Sequence, residues 1–153
     1  MADPLKICLA ASAGGHLSQL LKVAPSSSTH SVSIITTSEA VRANLAELGR
    51  VHVVGECNRA HLLGVLRVLF RCLRIVLRER PDVVISTGAA PACIYCLLAK
   101  LLGAKIVWVD SITNVERISL SGRIIRPIAD MFLVQWPDLV EKYRGVQYVS
   151  AII

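Results

Sequence analysis

The chain has 153 residues, of which 54% are hydrophobic and only 18% are charged, so a second domain of equal size is excluded. We therefore expect one domain over residues 1–153, and a mean hydropathy of +0.57 predicts that some apolar surface faces a partner or a membrane. Seventeen Lys and Arg against eleven Asp and Glu give a net charge of +6, which is typical of a protein with an anionic partner.

Short apolar runs alternate with helix-like stretches along the whole chain. The apolar runs predict buried strands at Lys6–Ala11, Val32–Thr37, Val51–Val54, Asp82–Ser86, Lys105–Val109, Met131–Val134 and Val146–Val149. The stretches between them predict helices at His16–Val23, Ser38–Leu48, Ala60–Arg80, Pro91–Leu102, Ser121–Ala129 and Asp138–Tyr143. This alternation predicts an α/β fold with a Rossmann-like, doubly wound parallel sheet.

Glycine, proline and serine mark several boundaries between these elements. Gly49 and Gly103 follow helix patterns and are expected to cap the carboxyl ends of those helices, and Pro81 closes the long third helix. The serine-rich segment Pro25–Ser31 is expected to be a loop. Because ligands bind a doubly wound sheet at the carboxyl ends of its strands, near the point where the strand order reverses, we expect the site in the loops that follow the strands.

The first predicted strand ends in the turn Ala11–His16, whose paired glycines allow backbone N–H groups to approach an anion at a helix N-terminus. Ser12, Gly14 and Gly15 are therefore candidate phosphate-binding residues, and a purely structural turn is the alternative. The spacing is neither that of a dinucleotide-binding loop nor that of a Walker A loop. His16 begins the next helix and is a candidate general base, because imidazole accepts a proton near neutral pH; a capping role is the alternative.

Polar or small residues also follow later strands. The turn Ser86–Pro91 places Thr87 and Gly88 where they could share one binding crevice with the first turn. Asp110 comes directly after the fifth strand, where a carboxylate can orient a sugar hydroxyl or assist a base, so it is the second candidate catalytic residue. Trp136 follows the sixth strand and could stack on a sugar or fill an interface.

The third predicted helix carries four arginines, Arg67, Arg71, Arg74 and Arg78. At about 100° per residue their spacing puts them within a sector of about 60°. Such a stripe on an otherwise apolar helix is typical of a helix lying on an anionic membrane, and a core helix with a solvated arginine face is the alternative. The arginines interrupt the longest apolar stretch, so no membrane-spanning helix is expected. Nucleic acid is not expected as a partner, because no aromatic side chains are interleaved with these arginines.

The five cysteines are an odd number, and the chain opens without the pattern of a secretion signal. We therefore expect a reduced, cytoplasmic protein rather than a secreted disulfide framework. Cys93 and Cys96 form a Cys-x-x-Cys pair inside an apolar helix, where buried packing is favoured over redox chemistry. No metal site is expected.

Four segments together resemble one family in their order and spacing: Gly14–His16, Asp82–Gly88, Ser119–Arg123 and Ile128–Pro137. It is the PssD-like oligosaccharide-biosynthesis family. This family is similar to the membrane-anchoring subunit of the enzyme that adds the second N-acetylglucosamine to dolichol-linked sugar and, more distantly, to the amino-terminal half of MurG. The resemblance runs from about Lys6 to the C-terminus, and the stretch from Ser119 to Pro137 is its most specific part.

The resemblance implies one half of a GT-B glycosyltransferase that is assembled from two short polypeptides. This chain would supply the acceptor-side domain, bind no cofactor itself and be nearly inactive alone, whereas a separate nucleotide-sugar-binding subunit would hold most of the UDP-sugar. The implied reaction transfers a sugar from a UDP-sugar to a sugar carried on a polyprenyl diphosphate, at the cytoplasmic face of the membrane. A net charge of +6 suits both the acceptor's diphosphate and a peripheral position on an anionic membrane surface.

The family's motif also implies roles for individual residues. Gly14, Gly15 and His16 would line the acceptor side of the cleft, with Gly88 in the second glycine turn. Either His16 or Asp110 would take the proton from the acceptor hydroxyl.

Membrane attachment is the point at which the sequence departs from some relatives. Eukaryotic relatives have an amino-terminal transmembrane anchor, whereas the first predicted strand here begins at Lys6. Attachment is therefore expected to rest on the arginine-rich helix or on the partner. Two other hypotheses are a non-catalytic scaffold that recruits a partner glycosyltransferase to the membrane, and a stand-alone nucleotide-binding enzyme that uses the Gly14–Gly15 turn.

Overall fold

The computed structural model describes residues 3–24, 29–150 and 152, and within them seven strands form one sheet. The strands are β1 (Lys6–Ala11), β2 (Ser31–Thr36), β3 (Arg50–Val53), β4 (Val83–Gly88), β5 (Lys105–Val109), β6 (Met131–Val134) and β7 (Gln147–Tyr148). Their order is β3-β2-β1-β4-β5-β6-β7, and every neighbouring pair is parallel. The predicted doubly wound parallel sheet is confirmed; the bounds of β1, β5 and β6 agree with the prediction, and the ends of the other four strands are displaced by one or two residues.

Helices connect the strands and cover both faces of the sheet. They are α1 (Gly15–Val23), α2 (Arg42–Leu45), α3 (Leu62–Glu79), α4 (Ala90–Leu101), α5 (Leu120–Ile125) and α6 (Asp138–Lys142). Alternate side chains of β1 separate the two faces: Ile7 and Leu9 pack in the cluster that contains α1, whereas Cys8 and Ala10 pack in the cluster that contains α3 and α4. The strand order reverses between β1 and β4, and this reversal opens a crevice at their carboxyl ends.

The helix predicted over Ser38–Leu48 is much shorter in the structure. The segment begins with a 3-10 turn at Glu39–Val41, continues through α2 and ends in a turn in which Leu48 N donates to Leu45 O at 3.0 Å. The prediction is wrong in extent because β3 begins almost at once, at Arg50, and leaves no room for another helical turn.

Two glycines that were both predicted as helix caps have different roles. Gly103 caps α4 as predicted: its φ is +92°, its N–H donates to Lys100 O at 3.0 Å, and the next N–H donates to Ala99 O at 3.1 Å. The prediction for Gly49 is wrong, because α2 has already ended before it. A Cβ on Gly49 would lie 2.3 Å from Val32 O, so this glycine lets the chain pass directly against β2.

Two other boundaries need comment. α5 ends at Ile125 rather than at the predicted Ala129, because Pro127 has no N–H to donate and its ring would clash with the carbonyl of residue 123. Of the predicted loop Pro25–Ser31, residues 25–28 lie outside the described residues, and Ser31 already begins β2.

The Cys-x-x-Cys pair lies in the core. Cys93 and Cys96 are buried in α4, as the sequence predicts. Burial raises the pKa of the Cys93 thiol to about 11 and that of Cys96 well above its usual range, so neither is activated as a thiolate. Within the described chain, no three His, Cys, Asp or Glu side chains are grouped so as to hold a metal ion.

Candidate functional site

The start of α1 and the carboxyl ends of β4 and β5 surround a cavity of about 210 Å³. Four predicted site residues line it, namely His16, Thr87, Gly88 and Asp110. The rest of the wall comes from Ala89, from the loop between β5 and α5 and from the first residues of α5. The cavity therefore lies beside the reversal of strand order, where the sequence analysis expects a ligand.

His16 is held in one orientation by the backbone of β4. Its Nδ1 lies 2.9 Å from Thr87 O, and Thr87 Oγ1 donates back to His16 O at 2.5 Å. Because a carbonyl oxygen only accepts, Nδ1 carries the proton, and the neutral ring has its lone pair on Nε2. Nε2 has no hydrogen-bond partner among residues 3–24, 29–150 and 152, so it is available to accept a proton from a hydroxyl in the cavity.

Gly88 allows the imidazole to pack against the end of β4. Its φ is +122°, and a Cβ there would lie 3.1 Å from both Cε1 and Nδ1 of His16. Ala89, the next residue, also has a positive φ, of 81°, although it carries a side chain. Two successive left-handed residues thus form the turn into α4, and such strain is often found at functional sites.

The first glycine turn has a different environment from the cavity. Gly14 has a φ of +105° and precedes α1 directly, and a Cβ on either Gly14 or Gly15 would meet open space. Ser12 is buried, and Ala13 N donates to Thr37 Oγ1 at 2.9 Å, which fixes the turn against β2. Among the described residues that line the cavity, this turn contributes only His16. The predicted phosphate-binding role of Ser12, Gly14 and Gly15 stays a prediction.

Asp110 is a buried carboxylate whose oxygens are both occupied. Oδ1 accepts from Trp108 Nε1 at 3.1 Å and from Ser119 Oγ at 2.6 Å, and Oδ2 accepts from Asn114 Nδ2 at 3.2 Å and from Ser119 N at 2.8 Å. All of these donors are neutral, and two of the three partner residues belong to the segment after β5. The carboxylate therefore holds the β5–α5 loop in a fixed shape at the edge of the cavity.

Three residues that lie in the family-like segments, but that received no individual role from the sequence, complete this arrangement. Ser119 caps α5 by accepting from Gly122 N at 2.8 Å, and a Cβ on Gly122 would lie 2.7 Å from Asp110 Oδ1. Gln135 Nε2 donates to Asp110 O at 2.9 Å from the end of β6. The position of Ser119 just before a predicted helix is a capping signal that could have identified it. Gln135 lies in the family-like segment Ile128–Pro137, but nothing in that segment predicts its hydrogen bond to Asp110.

Trp136 supports the same loop from the β6 side. Its Nε1 donates to Ile112 O at 2.7 Å, and its ring packs against the large core cluster. Its indole N–H is thus used to hold the protein's own backbone rather than a sugar.

Helix α3 has three distinct faces. Its core face consists of Val68, Cys72, Val76 and Glu79. The arginine face consists of Arg67, Arg71, Arg74 and Arg78, all of them exposed. The leucine face, also exposed, consists of Leu62, Leu63, Leu66, Leu69, Phe70, Leu73 and Leu77. Leu63 is 80% exposed and Phe70 60%, so α3 presents a large apolar surface beside its cations.

No helix within the described residues has the length and apolar character needed to cross a bilayer.

A family model described as "Oligosaccharide biosynthesis protein Alg14 like" matches residues 21–152. The chain belongs to this family. A mouse protein named UDP-N-acetylglucosamine transferase subunit ALG14 is 30% identical to this Alg14-like chain, in a match that covers 99% of this chain and 84% of the mouse protein. The predicted membership of an oligosaccharide-biosynthesis family is confirmed.

Solved structures show the same fold. MurG from Acinetobacter baumannii superposes with a TM-score of 0.74 at 17% identity, over 95% of the Alg14-like chain and 45% of the MurG chain. UDP-N-acetylglucosamine 2-epimerase from Rickettsia bellii superposes with a TM-score of 0.69 at 15% identity, over 97% and 45% of the two chains. The Alg14-like chain thus spans slightly less than half of each of these larger proteins.

Proposed function

We propose that this chain is the acceptor-binding, membrane-associating subunit of a two-component glycosyltransferase. The reaction is transfer of a sugar from a UDP-sugar to a glycan carried on a polyprenyl diphosphate. Family membership supports this proposal, since the mouse relative is named a subunit of a UDP-N-acetylglucosamine transferase. The observation that carries it is His16, whose Nδ1 is bound to Thr87 O and whose Nε2 has no hydrogen-bond partner among the described residues that surround the cavity.

A partner subunit supplies the donor site in this proposal. A GT-B enzyme needs two Rossmann-like units facing each other across a cleft, and the seven strands of this chain form only one sheet within the described residues. The name of the mouse relative, a subunit of a transferase, supports the same division. In this proposal the UDP-sugar binds mainly to the partner, and this chain alone binds no cofactor and has almost no transfer activity.

His16 is the proposed general base. An acceptor hydroxyl in the cavity gives its proton to Nε2 as the oxygen attacks the anomeric carbon of the donor sugar, and UDP leaves with the electron pair of the broken bond. Asp110 is less suited to this task, because four donors already occupy its carboxylate. In this proposal Asp110 positions the β5–α5 loop, while Thr87 and Gly88 orient the imidazole and shape the acceptor side.

Helix α3 is the proposed membrane contact. Its leucine face is exposed although the helix is packed on the sheet, and the arginine face lies beside it. An in-plane helix of this kind buries apolar side chains among acyl chains while its arginines attract anionic headgroups. In this proposal the chain is a peripheral protein on the cytoplasmic face of a membrane, with the acceptor's diphosphate held near the surface.

The proposal is tested by co-expressing this chain with the short nucleotide-sugar-binding partner that the proposal predicts. Transfer is assayed from a panel of UDP-sugars to a polyprenyl-diphosphate-linked acceptor, with each protein alone as the control. We expect transfer by the pair only, with one preferred donor. Failure of the pair to transfer any sugar, despite a stable complex, contradicts the proposed function.

A non-catalytic scaffold is the second candidate, and the exposed leucine and arginine faces of α3 favour it as much as they favour a subunit. The two are separated by His16→Ala in the active pair. A scaffold recruits its partner without using the imidazole, so its pair keeps full activity with this substitution.

A further inference from the structure

A groove of about 810 Å³ runs between α3 and the sheet-edge strand β3. Three members of the arginine face line it, Arg71, Arg74 and Arg78. Its apolar walls are Val53, Ile75 and Leu77. The fourth arginine of that face, Arg67, lies outside the groove. The groove is thus both cationic and apolar, and it adjoins the leucine face through Leu77.

The cations of the groove are free to bind an anion. None of the four arginines on the arginine face forms an ion pair with a carboxylate in the part of the chain that the structure describes. Arg71 Nη1 donates to Val54 O at 3.1 Å, which fixes this guanidinium at the end of β3 and leaves its charge unneutralised. Arg74 lies over the ring of Phe70, with 5.8 Å between its Cζ and the ring centroid.

The two acidic residues at the groove, Glu39 in its wall and Glu79 beside it, are already paired. Glu39 accepts from Arg42 Nη2 at 2.9 Å. Glu79 accepts from His52 Nε2 at 2.8 Å and from Arg50 Nη1 at 3.4 Å. Three arginines and one glutamate line the groove, and that glutamate, Glu39, is already paired with Arg42, so the described walls keep a net positive charge.

We propose that this groove binds the terminal phosphate of an anionic membrane lipid. One guanidinium group can donate two parallel hydrogen bonds to two oxygens of the same phosphate. A terminal phosphate presents three oxygens and more than one negative charge, so several arginines can bind it at once. The acyl chains of the same lipid contact the apolar walls of the groove and the adjoining leucine face. The inference deepens the proposed function, since it rests on α3 as the membrane contact, and it adds selectivity for one headgroup chemistry to general attraction by charge.

The test measures binding of the full chain to phosphatidylcholine vesicles by co-sedimentation. One set contains phosphatidic acid, whose phosphate is terminal, and the other contains phosphatidylglycerol, whose phosphate is bridged; both are adjusted to the same surface potential. One charge-assisted hydrogen bond is worth about tenfold in affinity, so we expect about a tenfold preference for phosphatidic acid. Equal binding to the two sets overturns the proposal.

Matched variants locate the preference. Arg74→Gln with Arg78→Gln removes two charges from the groove, whereas Arg59→Gln with Arg67→Gln removes two exposed charges outside it. Both pairs lower general vesicle binding, because each arginine near the surface contributes to attraction. We expect the first pair alone to bring the preference for phosphatidic acid down to about one. Loss of the preference in both pairs, or in neither, contradicts a site in the groove. A thermal melt of each variant verifies that it is folded.

A soluble competitor distinguishes a lipid from a free anion. Inorganic phosphate lacks acyl chains, so we expect it at millimolar concentration to leave binding to phosphatidic acid vesicles unchanged at constant ionic strength. Complete displacement by inorganic phosphate overturns the lipid part of the proposal. The vesicle assay needs neither donor sugar nor partner, so its outcome is independent of the transfer assay, and failure of one proposal is distinguishable from failure of the other.

Discussion

The crevice beside His16 and the outer surface of α3 are opposite kinds of candidate site. In the crevice, the buried carboxylate of Asp110 has four donors, and the imidazole is held by Thr87. On α3, by contrast, arginines lie in solvent without carboxylate partners in the described chain, beside exposed leucines. The proposed chemistry in the crevice depends on the positions of individual atoms. The proposed membrane contact of α3 depends on the combined charge and apolar area of many side chains. Substitutions should therefore act very differently in the two regions.

The largest effect is expected for His16→Ala in the active pair. Loss of a general base lowers the rate of sugar transfer by about 10²- to 10⁴-fold, while the partner still binds. The measurement is initial velocity with saturating donor, together with co-purification of the pair. His61→Ala is the matched control, because His61 is exposed just before α3 and lies far along the chain from the crevice. Equal losses for both variants would contradict a catalytic role for His16.

Asp110→Ala should act mainly on stability. It leaves the donors of Trp108, Asn114 and Ser119 without their acceptor, so we expect a loss of about 3 kcal/mol in the free energy of unfolding, measured with urea. Glu116→Ala in the same loop is the control, because that side chain is exposed and should change little. Full stability of Asp110→Ala combined with lost transfer would instead assign a chemical role to the carboxylate.

Gly88→Ala tests the contact between β4 and the imidazole. The new methyl would occupy a backbone with a φ of +122° and lie 3.1 Å from the His16 ring. We expect a loss of about 2 kcal/mol in the free energy of unfolding and a lower rate of transfer, because the ring must move. Gly64→Ala inside α3 is the control: its Cβ meets nothing closer than 4.0 Å, and helix propensity predicts a gain of about 1 kcal/mol. A fully active Gly88→Ala pair would show that the position of the ring matters little.

Much of the fold could be predicted from the sequence, because strands and helices have different hydrophobic periods and end at recognisable residues. Lys105–Val109 and Met131–Val134 agree with the structure to the residue. The site could be predicted only in part. His16 and Thr87 are 71 residues apart in the sequence. The glycine-containing turn around each residue marks it as a candidate, but nothing in the sequence predicts the hydrogen bonds between the two.

The α3 helix shows a different limit of sequence reasoning. The arginine face could be predicted from its spacing. The rest of the helix is apolar nearly all round, so periodicity alone does not show which apolar side meets the sheet. Val68 and Cys72 turned out to be buried, while Leu66 and Phe70 are exposed. Which apolar side chains of α3 are buried is decided by how the helix packs against the sheet and α4. That packing involves residues far along the chain, so the local sequence pattern does not reveal it.

Asp130 offers a carboxylate that contrasts with Asp110, because it is held by cations. A hydrogen bond from Lys100 Nζ at 2.7 Å and another from Ile106 N at 2.8 Å hold the pKa of the Asp130 carboxyl at about 2. Its stabilising contribution is therefore complete above about pH 4 and is lost as the pH falls toward 2. Because the group is partly exposed, we expect only about 1 kcal/mol, measured as the difference between wild type and Asp130→Asn in urea unfolding at pH 6 and pH 3. Asp138→Asn is the control, and a pH-independent difference for Asp130→Asn would contradict the ion pair.

The smallest effect on stability is expected on the leucine face of α3. Leu63→Gln with Leu66→Gln removes two exposed side chains, so the free energy of unfolding should change by less than about 0.5 kcal/mol, whereas Val68→Ala on the core face should cost about 2 kcal/mol. The same double variant should bind anionic vesicles more weakly, because apolar contact with the membrane is lost. A stability loss as large as that of Val68→Ala would mean that these leucines are already covered in solution. The contrast between a crevice of fixed atoms and an open apolar surface would then fail, because both regions would be packed interiors.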